Sequence, residues 1–448
     1  MQEKTLMTEG SIWKHLIRFA IPLFLGNLFQ QLYNVADSVV VGNFCGDEAL
    51  AAVSSSGSLC HLLIGFFQGV FMGASVIISR RYGARDSEGV DTAIHTTVVF
   101  SLIAGTILTV LGICFTPLIL QWMGTPESVM PSSVLYFRIY CAGLLSQVLY
   151  NTSNGIFQAL GDSRHPLYYL IISSVTNVVL DLLFVAVLGM GVAGAALATV
   201  LSQCLSAALG FLHLCSGRFL VTISLRRLKA HPATLKNVIS LGLPSGVQNS
   251  MISIANVVVQ SNINAFGDIA MAGCGSYSKV EGFVFLPIIS LTMALTTFIS
   301  QNLGACRLDR AKSGAKTGIL MSVVVAQLVG IAYFLLAPRL IGLFSQSPDV
   351  IAYGVRQARV EALFYGLLAF AHSAAAVLRG AGRPMIPMAI MLGIWCILRI
   401  GYITAMVHLF RVITVVFTAY PVTWGLSCIL FAYFLKRGDW LHHGSEHL

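Results

Sequence analysis

The chain has 448 residues, of which 56% are hydrophobic and only 10% charged, where a soluble domain carries about 25% charged residues. That composition excludes an ordinary soluble globular domain and describes an integral membrane protein. The formal net charge of +9 is spread in short patches between apolar stretches, so it follows from membrane topology and gives no support for nucleic-acid binding.

Apolar stretches of about 20 residues or more, the length a helix needs to cross a bilayer, recur about twelve times. The predicted spans, with ends set to within about four residues, cover 16–42, 50–79, 91–114, 132–158, 166–188, 192–215, 236–262, 270–300, 311–336, 351–379, 385–409 and 412–435. The predicted fold is all-α with 12 transmembrane helices, helix 1 to helix 12 in chain order. No short apolar core followed by a small-residue cleavage site precedes helix 1, so no removable signal peptide is predicted.

Lys4, Lys14 and Arg18 lead into helix 1, and Arg80, Arg81 and Arg85 follow helix 2. Arg164 follows helix 4, and Arg218, Arg226, Arg227, Lys229 and Lys236 fill the longest loop, after helix 6. The same side receives Arg307, Arg310, Lys312 and Lys316 after helix 8, Arg379 and Arg383 after helix 10, and Lys436 and Arg437 after helix 12. Loops on the other side, such as "CGDEAL", "GTPESVMP" and "FGDIAM", carry almost none. Short cytoplasmic loops retain Lys and Arg, so both termini are expected in the cytoplasm.

"IRFAIPLFLGNLFQQLYNVAD" (Ile17 to Asp37) aligns with "ISLGLPSGVQNSMISIANVVV" (Ile239 to Val259) at an offset of 222, matching Pro22 to Pro244, Asn27 to Asn249 and Asn34 to Asn256. At an offset of 221, Gly83-Ala84 falls on Gly304-Ala305, Gly161 on Gly382 and Pro166 on Pro387. The chain is read as two six-helix lobes, 1–215 and 236–448, joined by a cytoplasmic loop at 216–235. Six is even, so both lobes enter the membrane in the same direction. They are then parallel repeats about an axis along the membrane normal, an arrangement expected to place the binding site between the halves. Pro22 and Pro244 each remove a backbone hydrogen bond inside a helix and permit a kink.

The lobes differ in their polar residues. Asn27, Gln30, Asn34 and Asp37 line one face of helix 1, but Gln30 becomes Ile252 and Asp37 becomes Val259 in the second copy. Asn177 and Asp181 share a face of helix 5, and their counterparts are Leu398 and Tyr402; Asn154 maps to Ala375. A charge at the bilayer centre costs roughly 2.5–3.5 kcal/mol on insertion scales, so it is seldom kept without a function. Two acids with no Lys or Arg at their depth will bind a proton or recruit a small hard cation through oxygen ligands. Asp37 and Asp181 therefore read as an ion-coupling site.

Helix 8 carries Lys279 and Glu281, helix 10 Arg356, Arg359 and Glu361, and helix 11 Arg399. Acids and bases at comparable depth are expected to pair with one another. The ten cysteines are scattered singly without a C-x-x-C pair and read as small apolar fillers. No G-x-x-x-x-G-K-[ST] motif occurs, which argues against an ATP-driven pump within this chain. His442, His443 and His447 read as a solvated tail, and no nucleophile stands with a base and orienter at recognisable spacing, so no enzyme is expected.

The "YN-x-x-D-x-x-x-VG" pattern of helix 1, "GA" after helices 2 and 8, "GDSRHP" after helix 4, "RGAGRP" after helix 10 and the duplicated plan together resemble the multidrug and toxic compound extrusion (MATE) family. The resemblance covers essentially the whole chain. It implies two lobes around a central cavity and export of mostly cationic, amphipathic compounds in exchange for sodium ions or protons by alternating access. It further implies an ion-coupling site at Asp37, Asn177 and Asp181, with Asn154 and Thr199 nearby and Tyr136 in the same pocket. A sodium site there would draw on Asp37, Asp181 and Asn177.

Some relatives place essential acids on helices 7 and 10; here those regions offer Gln248 and "YGLLAFAH", leaving Glu281 and Glu361 as second-lobe cavity residues beside Gln30 and Asn34. Expected partners are small organic cations and the lipid bilayer, with no cofactor other than the coupling ion, in a monomer of the plasma membrane. The alternative is a flippase of lipid-linked oligosaccharide or another lipid, for which a cavity richer in Arg and Lys would be expected.

Overall fold

The computed structural model describes residues 6–45, 47–122, 125–217, 222–224 and 227–441, with side chains omitted at 38, 39, 41, 43, 45 and 47–63. Twelve helical spans follow one another, and no strand occurs among the described residues. The first lobe contributes α1 (Ile12–Cys45), α2 (Asp47–Gly83), α3 (Ser87–Trp122), α4 (Met130–Ala142 and Leu144–Ala159), α5 (Arg164–Asp181, continuing as Leu182–Val187) and α6 (Gly191–Cys215). The second contributes α7 (Pro232–Asn264), α8 (Asp268–Val284 and Leu286–Gly304), α9 (Leu308–Gly342), α10 (Pro348–Glu361 and Tyr365–Gly380), α11 (Met385–Met391, Leu392–Leu398 and Arg399–Phe410) and α12 (Thr414–Arg437).

Eight of the described helices are long and apolar enough to span a bilayer, nine when the bent pair in α4 is one span. With the long helices α1, α2 and α7, the helical spans number the predicted twelve. Ile103, Ile107, Val110 and Phe115 on α3 remain about half exposed; such surface is stable only against lipid.

The duplication is visible in the packing. Within the first lobe α3 packs on α4, α2 on α4, α4 on α6 and α5 on α6; within the second α9 packs on α10, α8 on α10, α10 on α12 and α11 on α12. Two compact units emerge, and they exchange short segments relative to the chain halves: Leu25–Gly242 with Met1–Leu6, and Leu243–Leu448 with Met7–Phe24. The first half of α1 thus packs into the second unit, where Leu16, Phe19, Ala20 and Leu23 join a core with Phe298, Leu295 and Trp440. Arg310 clamps the segment before α1, donating to the backbone carbonyls of Met7, Glu9 and Gly10.

Lipid is as apolar as leucine, so close backbone approach rather than hydrophobic burial holds such helices together. A Cβ at Gly73 of α2 would fall 2.3 Å from the Gly242 backbone nitrogen of α7, and one at Gly143 would fall 2.5 Å from Val200 of α6. At Gly143, α4 bends by 46°. Residues 182–187 of α5 and 392–398 of α11 widen into π-helical turns, directly after Asp181 and directly before Arg399. Such turns recur at functional positions in helices.

Candidate functional site

Three helices of the first unit meet at its acids. The 3.6-residue period puts Tyr33 and Asp37 on one face of α1, and Asn177 and Asp181 on one face of α5; Thr199 lies on α6. The Asp37 and Asp181 carboxyls hydrogen-bond each other. With its amide oriented to satisfy both ends, Asn177 donates to Asp181 Oδ2 at 2.9 Å and accepts from the Thr199 backbone N–H at 3.3 Å. The Tyr33 hydroxyl hydrogen-bonds the Thr199 side chain, whose Oγ1 donates to the Ala195 carbonyl at 3.1 Å.

This cluster is incomplete as a hydrogen-bond network. Asp37 Oδ1 and Asp181 Oδ1 are buried without a hydrogen-bond partner, and among the described residues neither acid forms an ion pair. Native interiors rarely leave such atoms unsatisfied, and each costs about 1–3 kcal/mol. Two orphan carboxyl oxygens, an amide and two hydroxyls make an oxygen-rich set that suits a proton or a small hard cation.

An apolar layer lies one helical turn away. Val40 follows Asp37, Val185 follows Asp181, and Ala195 lies one turn from Thr199; these side chains pack with Val192, Ala196 and Tyr136. Tyr136 stacks on Tyr140 with ring centroids 6.3 Å apart and shares the apolar cluster of Val40 and Val185, each one turn from an acid. Asn154 accepts from Gln158 on its own helix at 3.0 Å, a bond that does not tie it to the carboxyls. Asn34 is exposed and Gln30 half-buried on α1.

The second unit corrects one expectation. Its intramembrane charges do not pair with one another: Glu281 and Glu361 are both within hydrogen-bond distance of the Tyr277 hydroxyl, at 3.0 and 2.9 Å. Gln357 also donates to Glu361 Oε1 at 2.9 Å, and the Tyr365 hydroxyl lies 3.0 Å from that of Tyr277. Glu361 is fully buried. Arg399 donates to Thr423 Oγ1 from Nε at 3.1 Å and Nη2 at 2.9 Å, and lies over the rings of Tyr420 and Trp395 at 4.4 and 5.3 Å. Lys279 sits over Phe344 and Arg359 over Phe334. Hydroxyls, an amide and aromatic faces replace the expected counter-ions, because a weakly hydrated guanidinium is well served by ring faces.

Sequence reasoning missed Tyr33 and Tyr277 as members of the two clusters. Each stands four residues before an acid, Asp37 or Glu281, and that spacing was available as a signal.

The MatE family profile matches residues 22–183 and 244–404, once in each lobe and over most of the chain. This chain belongs to the MATE family of membrane transporters. Among curated relatives, the probable multidrug resistance protein YoeA of Bacillus subtilis (strain 168) is 30% identical over 435 residues, spanning 94% of this chain and 93% of its own. A crystal structure of MATE in complex with MaL6 superposes with a TM-score of 0.92 at 26% identity, covering 99% of this chain and 100% of that one. An outward-facing multidrug resistance MATE transporter of the MOP superfamily also gives a TM-score of 0.92 at 26% identity, covering 99% of both chains. The chain is a multi-pass membrane transporter built as two six-helix repeats.

Proposed function

We propose that the protein is a secondary active antiporter that exports amphipathic, mostly cationic compounds in exchange for sodium ions or protons. The ion binds at Asp37, Asn177 and Asp181, supported by Thr199 and Asn154, and substrate meets Asn34, Gln30 and Tyr136. The observation that carries this reading is the pair of buried, unpartnered carboxyl oxygens of Asp37 and Asp181 in the lobe whose repeat lacks both acids. Relatives named for multidrug resistance and multidrug export support the export of drugs.

Occupation of the acids by an ion from outside weakens substrate binding, and the two states alternate in access, so ion influx drives substrate efflux. Linkage requires the reciprocal: substrate weakens the ion by the same factor. The Lys- and Arg-rich loops support a topology with both termini in the cytoplasm, for a monomer in the plasma membrane.

The test is efflux of a fluorescent organic cation from proteoliposomes under a sodium gradient and a pH gradient imposed separately, for wild type and Asp37→Asn. Efflux driven by one gradient and lost in the variant supports the reading. Full, equally ion-dependent efflux by Asp37→Asn rejects the site, and no efflux under either gradient rejects the antiport.

A further inference from the structure

The ends of α2 and α8 beside the basic loops are equivalent positions of the duplication, and they are finished differently. At the 221-residue offset Ser79 falls on Ser300, and the match holds in three dimensions. Ser79 Oγ donates to the Ala159 carbonyl of α4 at 3.2 Å, and Ser300 Oγ to the Gly380 carbonyl of α10 at 2.9 Å. The next residues are Arg80 and Gln301. Gln301 Oε1 accepts the Met7 backbone N–H at 3.0 Å, and Asn302 Nδ2 donates to the Met7 carbonyl at 3.3 Å. With Arg310 they tie down the segment that leads into α1. Arg310 maps to Gly89, and Arg80 offers only donors where Gln301 accepts, so the first lobe lacks this anchor.

Arg80 is 8% exposed, and its Nε and Nη2 atoms are buried without a hydrogen-bond partner. Among the described residues it forms no ion pair. The Nε–H and Nη2–H groups share one edge of the guanidinium and point the same way, a fork that takes two oxygens of one anion. An arginine at a membrane boundary ordinarily lays its stem on apolar surface and carries its head to water. Here that edge of the head is itself buried, so snorkelling does not account for it. Leaving a buried charged donor unpaired costs more than leaving a neutral one.

The packing of α2 on α7 places Arg80. A Cβ at Gly73 would meet the Gly242 backbone and the Val238 carbonyl, and one at Gly242 would meet Val70, so the two helices run antiparallel with these faces in contact. Arg80 is seven residues beyond Gly73, which returns it to the same face about 10 Å further along, level with the first turn of α7 at Pro232–Leu235. A helix N-terminus presents backbone N–H groups and partial positive charge, so a guanidinium beside it is repelled unless an anion stands between them. Lys229, before α7, and Lys236, on it, are exposed and add to the positive field. Other charges of this end are engaged elsewhere: Arg81 donates to the Gly89 carbonyl, Asp86 accepts from the Gly89 N–H, and Asp91 pairs with His95.

We propose that Arg80 and the first turn of α7 form a binding site for a phosphate group, carried by an anionic phospholipid headgroup or by free phosphate, at the membrane boundary beside the basic loops. The guanidinium fork takes two phosphate oxygens, and the helix N-terminus with Lys229 and Lys236 balances the remaining charge. Basic pockets between membrane helices recognise anionic headgroups in this way. The bound phosphate holds the start of α7 on the end of α2, the service that Gln301, Asn302 and Arg310 perform for the segment before α1.

The test uses the full chain, delipidated in detergent and titrated separately with phosphatidylglycerol and with inorganic phosphate, for wild type, Arg80→Gln, Arg80→Lys and Lys312→Gln. The readouts are bound ligand by native mass spectrometry and the thermal unfolding midpoint. Wild type is expected to bind at least one of the two saturably, with a raised midpoint. Arg80→Gln places the second lobe's own residue here and should weaken that binding at least about tenfold, the factor set by one lost charge-assisted hydrogen bond. Lys312→Gln, on α9 of the other lobe, should leave it unchanged. Arg80→Lys keeps the charge without the fork and should also bind more weakly than wild type, so it decides the matter if Arg80→Gln fails to fold. A response to phosphatidylglycerol alone assigns the site to a lipid headgroup, and a response to inorganic phosphate assigns it to a soluble ligand. Binding of neither, wild-type binding by folded Arg80 variants, or an equal loss in Lys312→Gln overturns the site.

Discussion

Each lobe buries a pair of acids in membrane-spanning helices, and the two pairs are treated in opposite ways. Glu281 and Glu361 are met by Tyr277, with Gln357 donating to Glu361. Asp37 and Asp181 are met by each other and by Asn177, with one oxygen of each left unsatisfied. Glu361 accepts from Gln357 at one oxygen and shares the single Tyr277 hydroxyl hydrogen with Glu281 at the other, so moving it breaks bonds on both sides. An acid with an orphaned oxygen lacks a donor there, and binding of a ligand at that oxygen would compensate for what the fold leaves unmade. Burial alone does not distinguish a functional carboxyl from a structural one; the inventory of donors around it does.

The contrast can be broken most forcefully at Asp37. Asp37→Asn is expected to reduce gradient-driven export by about 100-fold, towards the upper end of ordinary coupling free energies, while the purified variant stays monodisperse in detergent. Tyr277→Phe should act on stability instead. Removing the hydroxyl shared by two buried carboxyls is expected to cost about 2 kcal/mol, read as a lower thermal unfolding midpoint, with export by the surviving protein within about twofold of wild type.

Asn177→Leu removes the amide donor at Asp181 Oδ2. A hydrogen bond to a charged group is worth about 1.5–3 kcal/mol; since that charge is shared with Asp37, ion affinity should weaken about tenfold, measured from the ion concentration giving half-maximal efflux. Tyr33→Phe removes only the bond to Thr199 and should weaken the ion about threefold, the size of one neutral hydrogen bond of ~0.5–1 kcal/mol.

Twelve spans, the duplication and the asymmetry of the acids were legible in the sequence, because hydropathy and helical spacing are local properties. The interruption of α10 at Ala362–Phe364 was not, since the apolar stretch runs unbroken through it and tertiary packing sets the bend, whereas that of α8 at Phe285 lies two residues before Pro287, a signal the sequence did carry. The second-lobe charges were visible as charges, yet their partners were misread. Tyr277 lies 84 residues from Glu361 and 88 from Tyr365, so a neutral donor brought in by folding outcompeted the counter-ions that depth alone suggested. The first-lobe pairing of Asp37 with Asp181 was inferred from the lack of a cation and from the resemblance. Tyr33, in contrast, needed only the four-residue step before Asp37.

The most direct measurement sets Asp37→Asn and Glu361→Gln side by side in proteoliposomes under the same ion gradient, with efflux of a fluorescent organic cation as the readout. Loss of gradient-driven efflux in Asp37→Asn and its retention in Glu361→Gln is the predicted result. Retention in Asp37→Asn with loss in a well-folded Glu361→Gln would move the coupling site to the second lobe and contradict the account.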